Sequence, residues 1–197
     1  TQNNIGREWN PNNAGGWNRE HVWCQSQSID ADTGTQLWGT KGGGSDLHHV
    51  RPIEYTLNSK RNNTPYGKAI NRVEAKSKSD INTFAYLGGY LDTRNDIFEP
   101  LDTVKGDVAR ILFYDYTHYS SYKVSGGTTN GDQNKCNTYG HLLITNIVNT
   151  PEKTEESAWK LLLDWNASDP VSEAEIRRNN VVASYQGNRN PFIDFPQ

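Results

Sequence analysis

Methionine is absent from this 197-residue chain, and so is any run of about 20 consecutive apolar residues, the length needed to span a bilayer. The longest apolar stretches, such as Val108 to Tyr114, are broken by Arg110, which predicts a soluble protein with no membrane partner. Cysteine is scarce: Cys24 and Cys136 could close one loop, worth at most roughly 4.7 kcal/mol by chain entropy, or stand as two unrelated thiols. The clusters Gly42-Gly43-Gly44-Ser45 and Ser125-Gly126-Gly127 have no Gly-Lys-Ser/Thr element after them. That excludes a phosphate-cradling loop and leaves both as flexible connections. No repeat, low-complexity tail or domain boundary is visible, so residues 1–197 read as a single domain. Beginning at Thr1 with no charged and apolar leader, the sequence reads as a mature or trimmed form.

Hydrophobic residues make up only 34% of the chain, yet six Trp, ten Tyr and five Phe supply apolar surface enough for a core. The net charge of −3 argues at first against a nucleic-acid partner, because phosphate binding rests on Lys and Arg. The charge is unevenly spread, however. Lys41, Arg51, Lys60, Arg61, Lys68, Arg72, Lys76 and Lys78 face only Asp46, Glu54 and Glu74 in the same stretch, a basic segment in an acidic remainder.

The first hundred residues are rich in Gly, Asn and short apolar runs, whereas helical periodicity begins at Asp102, which predicts an α+β fold with a largely helical second half. Asp102 is the expected cap of a helix carrying Val104, Val108, Ile111 and Leu112 on one face. Thr150 and Pro151 start a second, with Ala158, Leu161, Leu162 and Trp165 inward. Ser172 and Glu175 form a capping box for a third running toward Tyr185. The aromatics Tyr114, Trp159 and Trp165 are assigned to the core rather than to base stacking.

Three of the five histidines fall early: His21 in Trp17-Asn18-Arg19-Glu20-His21-Val22-Trp23, and the pair His48-His49. Histidine is the side chain best placed to move a proton near neutral pH. Asn58 and Asn62 stand four apart, so on a helical turn both amides share one face with Arg61 adjacent; as isolated asparagines they would read as caps or turns. A zinc site from Asp46, His48 and His49 has the right ligand types, but adjacent histidines rarely converge on one ion.

Taken in order, Glu20-His21-Val22-Trp23, the glycine-rich loop, Asp46-Leu47-His48-His49 and the turn at Asn58 resemble the endonuclease I family of bacterial nucleases. The likeness continues through Phe98-Glu99-Pro100, the run from Lys105 to Arg110, Leu162-Leu163-Asp164-Trp165, Asp169-Pro170-Val171-Ser172 and the run from Gln186 to Ile193. It covers roughly residues 5 to 196. The resemblance implies a ββα-metal (His-Me) finger in which His21 is the general base and Glu20 and Asn58 are metal ligands, with Asn62 as the fallback. His48 would orient the finger through hydrogen bonds. Two departures stand out. Cys24 occupies the place after Trp23 where the family usually has proline, and the arginine that longer members set against the scissile phosphate has no counterpart in the shortened loop. Lys41, Arg51, Arg61 and Arg110 compete for that role. Arg189 is read as part of a hydrogen-bonded turn in preference to a phosphate contact.

Such a site is expected to take Mg²⁺, which keeps most of its waters and needs only one or two protein oxygens. Other divalent cations could substitute. The implied activity is sequence-nonspecific hydrolysis of DNA, and of RNA as well, to 5′-phosphate products, by a secreted or periplasmic enzyme with no obligate protein partner. A catalytically silent nucleic-acid-binding module is the alternative, against which the presence of Glu20, His21 and Asn58 argues. Adjacent strand residues point to opposite faces, so Glu20 and His21 can serve one phosphate only if the strand bends or ends there.

Overall fold

A computed structural model describes residues 16–39, 42–74, 89–120 and 140–196, which hold two small antiparallel sheets and five α-helices. The two-stranded sheet pairs β1 (Trp17–His21) with β2 (Val50–Glu54), setting Trp17 opposite Glu54, Arg19 opposite Pro52 and His21 opposite Val50. Pro52 is tolerated because, among the described residues, neither strand of this ribbon is flanked by a third that would need its missing N–H. β2 runs directly into α1 (Tyr55–Arg61), whose first turn is capped by the Glu54 carboxylate accepting the Leu57 N–H at 2.9 Å. The helix stops where Asn62 leaves it at φ 49°, outside the helical region. A second sheet is built from β3 (Val73–Glu74), β4 (Gly89–Asp92) and β5 (Ile97–Pro100), with β4 in the middle.

The second half is helical, as its periodicity predicts: α2 (Lys105–Tyr119), α3 (Glu155–Ser168), α4 (Glu173–Gln186) and the short α5 (Pro191–Asp194). α2 packs along α3, and the core they share with the first half includes Trp23, Trp38, Leu57, Ile111, Leu112, Ile144 and Leu162. Each such side chain contributes about 1.5–3 kcal/mol on burial. Tyr114 and Trp165 lie in this core, and Trp159 packs against it.

Two helix starts differ from the sequence expectation. Asp102 opens a 3-10 turn and pairs with Lys105 Nζ at 2.7 Å, so α2 begins at Lys105 with no side-chain cap. The Gly106 N–H finds its partner across the fold instead, donating to Asp169 Oδ2 at 2.9 Å. Thr150 and Pro151 precede α3 without starting it, because Thr154 and Ser157 form a reciprocal capping box one turn later. The Ser172–Glu175 box caps α4 as expected, and Gly187 ends that helix at φ 84°, a conformation natural to glycine.

The segment between the finger strands is latched to the helical half. Asp46 accepts hydrogen bonds from Tyr114 (2.8 Å), Tyr119 (2.5 Å), Gln186 Nε2 (2.9 Å) and the His48 N–H (2.7 Å). Burial raises the Asp46 carboxyl, but these four donors outweigh it and hold the group below the usual carboxylate range. Gly42–Ser45 is a 3-10 turn with Gly43 and Gly44 buried, which corrects the expectation of a flexible loop. The cause is close packing: a Cβ on Gly43 would lie 2.5 Å from the Trp38 indole, and one on Gly44 would lie 1.8 Å from the Gly39 carbonyl. The second glycine cluster, Ser125-Gly126-Gly127, and Cys136 lie outside the described residues.

Candidate active site

His21 is the last residue of β1, and the chain bends at Val22 and Trp23 immediately after it. That ending resolves the alternation problem: Glu20 and His21 line the same open cleft, together with Arg19, Cys24, Gln25, Asn58, Arg61 and Asn62. The cleft encloses about 440 Å³. Cys24 leaves the strand at φ −56°, close to the value a proline ring imposes, so the strand exit tolerates either residue.

The half-buried His21 ring is held by one short contact, Nε2 to the Gly44 carbonyl at 2.8 Å. A carbonyl can only accept, so Nε2 carries the proton and Nδ1 is the basic nitrogen of the neutral ring. Gln25 Nε2 lies 3.2 Å from the same ring nitrogen and donates to the Gly39 carbonyl. Burial lowers the His21 pKa, opposed by the Gly44 carbonyl and assisted by the positive charges of Arg19 and Arg61, so the ring is neutral and ready to accept a proton at pH 7.

Glu20 is buried to 6% exposure and forms an ion pair with Arg61, Nη1 to Oε1 at 2.8 Å. Burial raises its carboxyl pKa and the Arg61 charge pulls it back. Arg61, only 2% exposed, also donates to the Val22 carbonyl at 3.1 Å and the Cys24 sulfur at 2.7 Å, and its guanidinium lies 4.6 Å over the Tyr66 ring. It is therefore the strut that ties α1 to the end of β1, and its Nη1 and Nη2 groups bond to protein rather than to a phosphate. Asn58, on α1, donates its amide nitrogen to Asn18 Oδ1 (2.6 Å) and the Arg19 carbonyl (3.3 Å), which leaves Oδ1 as the atom available to a cation. Asn62 lines the cleft from the helix end, and its backbone carbonyl accepts the Cys24 thiol at 3.6 Å, so it does not share a helical face with Asn58.

The remaining candidates lie elsewhere. Arg51 gives Nη1 to the carbonyls of Leu47, His48 and Val50. Arg110, 1% exposed, grips Glu175 through Nε (2.8 Å) and Nη2 (2.9 Å) and donates to Asn166 and the Asp169 carbonyl. Neither is among the residues lining the cleft: Arg51 is spent on carbonyls within four positions of it, and Arg110 on partners 56 to 65 positions away that counting charges cannot reveal. Lys41 lies outside the described residues. Arg189 is held by Asp194 (2.7 Å and 2.6 Å) and Asn180 (3.0 Å), in keeping with a structural turn. His48 points toward the C-terminal segment, Nε2 to the Asn188 carbonyl at 3.1 Å, and its ring packs on Tyr114. Asp46 and His48 thus face the helical half while His49 faces Gly43 and Trp23, so the three do not converge on one ion.

Two lining residues were missed at the level of sequence. Arg19 is exposed at the cleft and adds positive charge beside His21. Strand alternation is the signal that could have found it, since Arg19 and His21 stand two apart and share a face. Gln25 enters through the bend after β1, which carries no such periodic signal.

A neutral imidazole, a carboxylate and an amide oxygen converge on one open cleft at the end of a strand–strand–helix finger, a set equipped to activate water and to hold a hard cation. The chain belongs to the Endonuclease I family, which it matches over residues 1–197. It is 36% identical over 198 residues to a protein of Bacillus subtilis (strain 168) named extracellular ribonuclease, and 34% identical over 199 residues to the protein of that name in Bacillus amyloliquefaciens. Both alignments cover 100% of this chain and 57% of the relative, so the chain spans little more than half of their length. A protein of Buchnera aphidicola subsp. Baizongia pistaciae named Endonuclease-1 is 26% identical over 152 residues, covering 76% of this chain and 46% of that protein.

Proposed function

We propose that this chain is a secreted or periplasmic, Mg²⁺-dependent, sequence-nonspecific endonuclease that hydrolyses DNA and RNA to 5′-phosphate products. The observation that carries the reading is the convergence on one cleft of Glu20, Asn58 and a His21 ring held through Nε2 by the Gly44 carbonyl. The names of the Bacillus relatives support both an RNA substrate and an extracellular location. No described helix is long and apolar enough to cross a membrane.

His21 Nδ1 takes a proton from water as the water oxygen bonds to phosphorus, the bond from phosphorus to the 3′ oxygen breaks, and the departing oxygen takes a proton from solvent water to become the 3′ hydroxyl. General-base assistance of this kind supplies about 10²–10⁴ in rate, roughly 3–5.5 kcal/mol, so a charged phosphate needs further help. The donor set fits magnesium: one carboxylate and one amide oxygen, both hard, in a cleft with room for phosphate and water. Held by Glu20 and Asn58, the ion would neutralise charge on the phosphate and on the departing oxygen. Burial raises the Glu20 carboxyl, and the paired Arg61 charge opposes that rise and favours the carboxylate. Arg19 lines the cleft and would contact a substrate phosphate, and contacts to phosphates carry no base sequence.

Incubating the protein with supercoiled plasmid and with RNA, in Mg²⁺ or in EDTA, tests the reading; absence of Mg²⁺-dependent cleavage of either substrate overturns it. His21→Ala is expected to abolish cleavage while leaving the fold intact. Asn58→Ala is expected to cost more activity than Asn62→Ala, and the opposite ranking would transfer the ligand role to Asn62.

A further inference from the structure

Behind His21, away from the cleft, lies a second imidazole with no solvent contact at all. His49 is 0% exposed, and the Trp23 N–H donates to its Nε2 at 2.9 Å. The Trp23 carbonyl lies 3.1 Å from the same nitrogen, but the shorter contact is from Nδ1 to the Gly43 carbonyl at 2.6 Å, which can only accept, so in the neutral ring Nδ1 bears the hydrogen and Nε2 is the acceptor. Gly43 precedes Gly44, whose carbonyl receives the His21 Nε2–H. The two histidines, with ring centres 5.6 Å apart, thus hang from consecutive carbonyls of one turn. Trp38 and the Gly39 carbonyl block that turn on one side, and the His49 bond ties it on another. The groups whose charges reach His49 are His21, Asp46 and Arg51, and the Asp115 carboxyl of α2 lies 3.7 Å from its Nε2. Burial keeps the His49 ring neutral down to a pKa of about 3.

We infer that His49 is a positioning residue for His21: by holding Gly43 it aims the Gly44 carbonyl at His21 Nε2 and so leaves Nδ1 as the basic nitrogen. This rests on the reading of His21 as general base. Without the strut the turn is released, and a neutral His21 divides between its two tautomers. Only the fraction with a free Nδ1 is oriented for water. Because His49 does not line the cleft, substrate binding is left alone and the loss falls on kcat.

The test compares His49→Asn, whose amide nitrogen takes the place of Nδ1 as donor, with His49→Leu, which has no donor. Ring-nitrogen chemical shifts of His21 are measured in metal-free protein above the histidine titration range. Wild type and His49→Asn are expected to show one tautomer with hydrogen on Nε2, and His49→Leu a mixture. In the Mg²⁺-loaded enzyme, kcat should fall about 10²-fold in His49→Leu with KM unchanged, and His49→Asn should recover most of it. If His49→Leu does not fold, His49→Gln, which sets the donor one bond further out, takes its place with the same expected outcome. A His21 that stays wholly in the Nε2–H tautomer after the donor is removed or displaced overturns the inference. Wild-type cutting by His21→Ala would instead remove the general-base reading, while the tautomer result stands apart from it.

Discussion

Arg61 and Glu20 are mutually dependent buried charges, and they illustrate why truncating one member of such a pair costs more than the pair contributes. The ion pair is at most 8% exposed on either side chain, and Arg61 bridges three further acceptors on β1 and the bend after it. Arg61→Ala would leave the Glu20 carboxylate buried with no countercharge, which typically costs about 3–5 kcal/mol. Urea denaturation should show that loss, and it should shrink when Glu20→Gln is added, because the stranded charge is then gone. A loss below about 1 kcal/mol would mean that solvent or another cation replaces the guanidinium. Asp115 is the complementary case, an acid with no cation bonded to it. It is 0% exposed, neither oxygen has a hydrogen-bond partner among the described residues, and burial first, then the Asp46 charge, raises its pKa well above the usual range. The folded protein therefore holds this proton when the unfolded chain has released it near pH 3.9. Stability from this group is complete below about pH 3.9 and falls by about 1.4 kcal/mol per unit as pH rises toward the folded value. His49 acts in the opposite sense: its folded pKa of about 3 lies below the unfolded value, so its contribution is lost as pH falls through that window. Relative to wild type, Asp115→Asn should gain stability steadily as pH rises above about 4. Parallel stability curves for the two proteins would show that Asp115 is ionised in the folded state.

At the scale of elements, the site depends on a turn as much as on the strand and helix that supply its chemistry. A Cβ at Gly44 would approach the Gly39 carbonyl to 1.8 Å and Gln25 Nε2 to 2.8 Å, so Gly44→Ala must displace the carbonyl that orients His21. The expected stability cost is that of local overpacking, about 1–3 kcal/mol, whereas kcat should fall out of proportion to it. A variant with normal kcat and a lowered Tm would separate the turn from catalysis. The same turn shows where the sequence was legible and where it was not. The meeting of Glu20, His21 and Asn58 at one cleft was legible because strand, helix and order along the chain are local features, and α4 was readable because its Ser172–Glu175 box is three residues wide. Gly43 and Gly44 look like a hinge in sequence, since nothing nearby shows that Trp38 and Gly39 press on them. Arg61 looks like a surface cation for the same reason: its partner Glu20 is 41 positions away. The start of α3 moved from Thr150 to Thr154 because Thr154 and Ser157 cap it reciprocally, a pairing of two hydroxyl residues that lacks the acidic or amide partner by which such a box is recognised.

At the scale of the whole molecule, a net charge of −3 and a largely uncharged cleft would, on the proposed function, set how the substrate is drawn in. Arg61 offsets Glu20 within the lining, and Gln25, Ser26, Gln36, Asn58, Ser59, Asn62 and Asn63 are neutral, so Arg19 supplies the remaining positive charge among the described lining residues. Nucleic-acid affinity falls with salt according to the number of phosphates neutralised, with a logarithmic slope of about −0.9 per phosphate on duplex DNA and about −0.7 on single strands. One or two such contacts predict a slope between about −1 and −2, so raising salt fourfold should weaken binding only about 4- to 16-fold. A protein gripping six to ten phosphates would lose about 10³–10⁵ over the same range. Arg19→Gln should flatten the slope by close to one contact and weaken duplex and single-stranded substrates alike, because a phosphate contact reads no sequence. Binding of an uncleaved duplex by His21→Ala across a series of KCl concentrations measures both effects. A slope steeper than about −4 would mean that the basic stretch from Lys41 to Lys78 grips the backbone beyond the cleft, and the low net charge would then conceal an extended phosphate track.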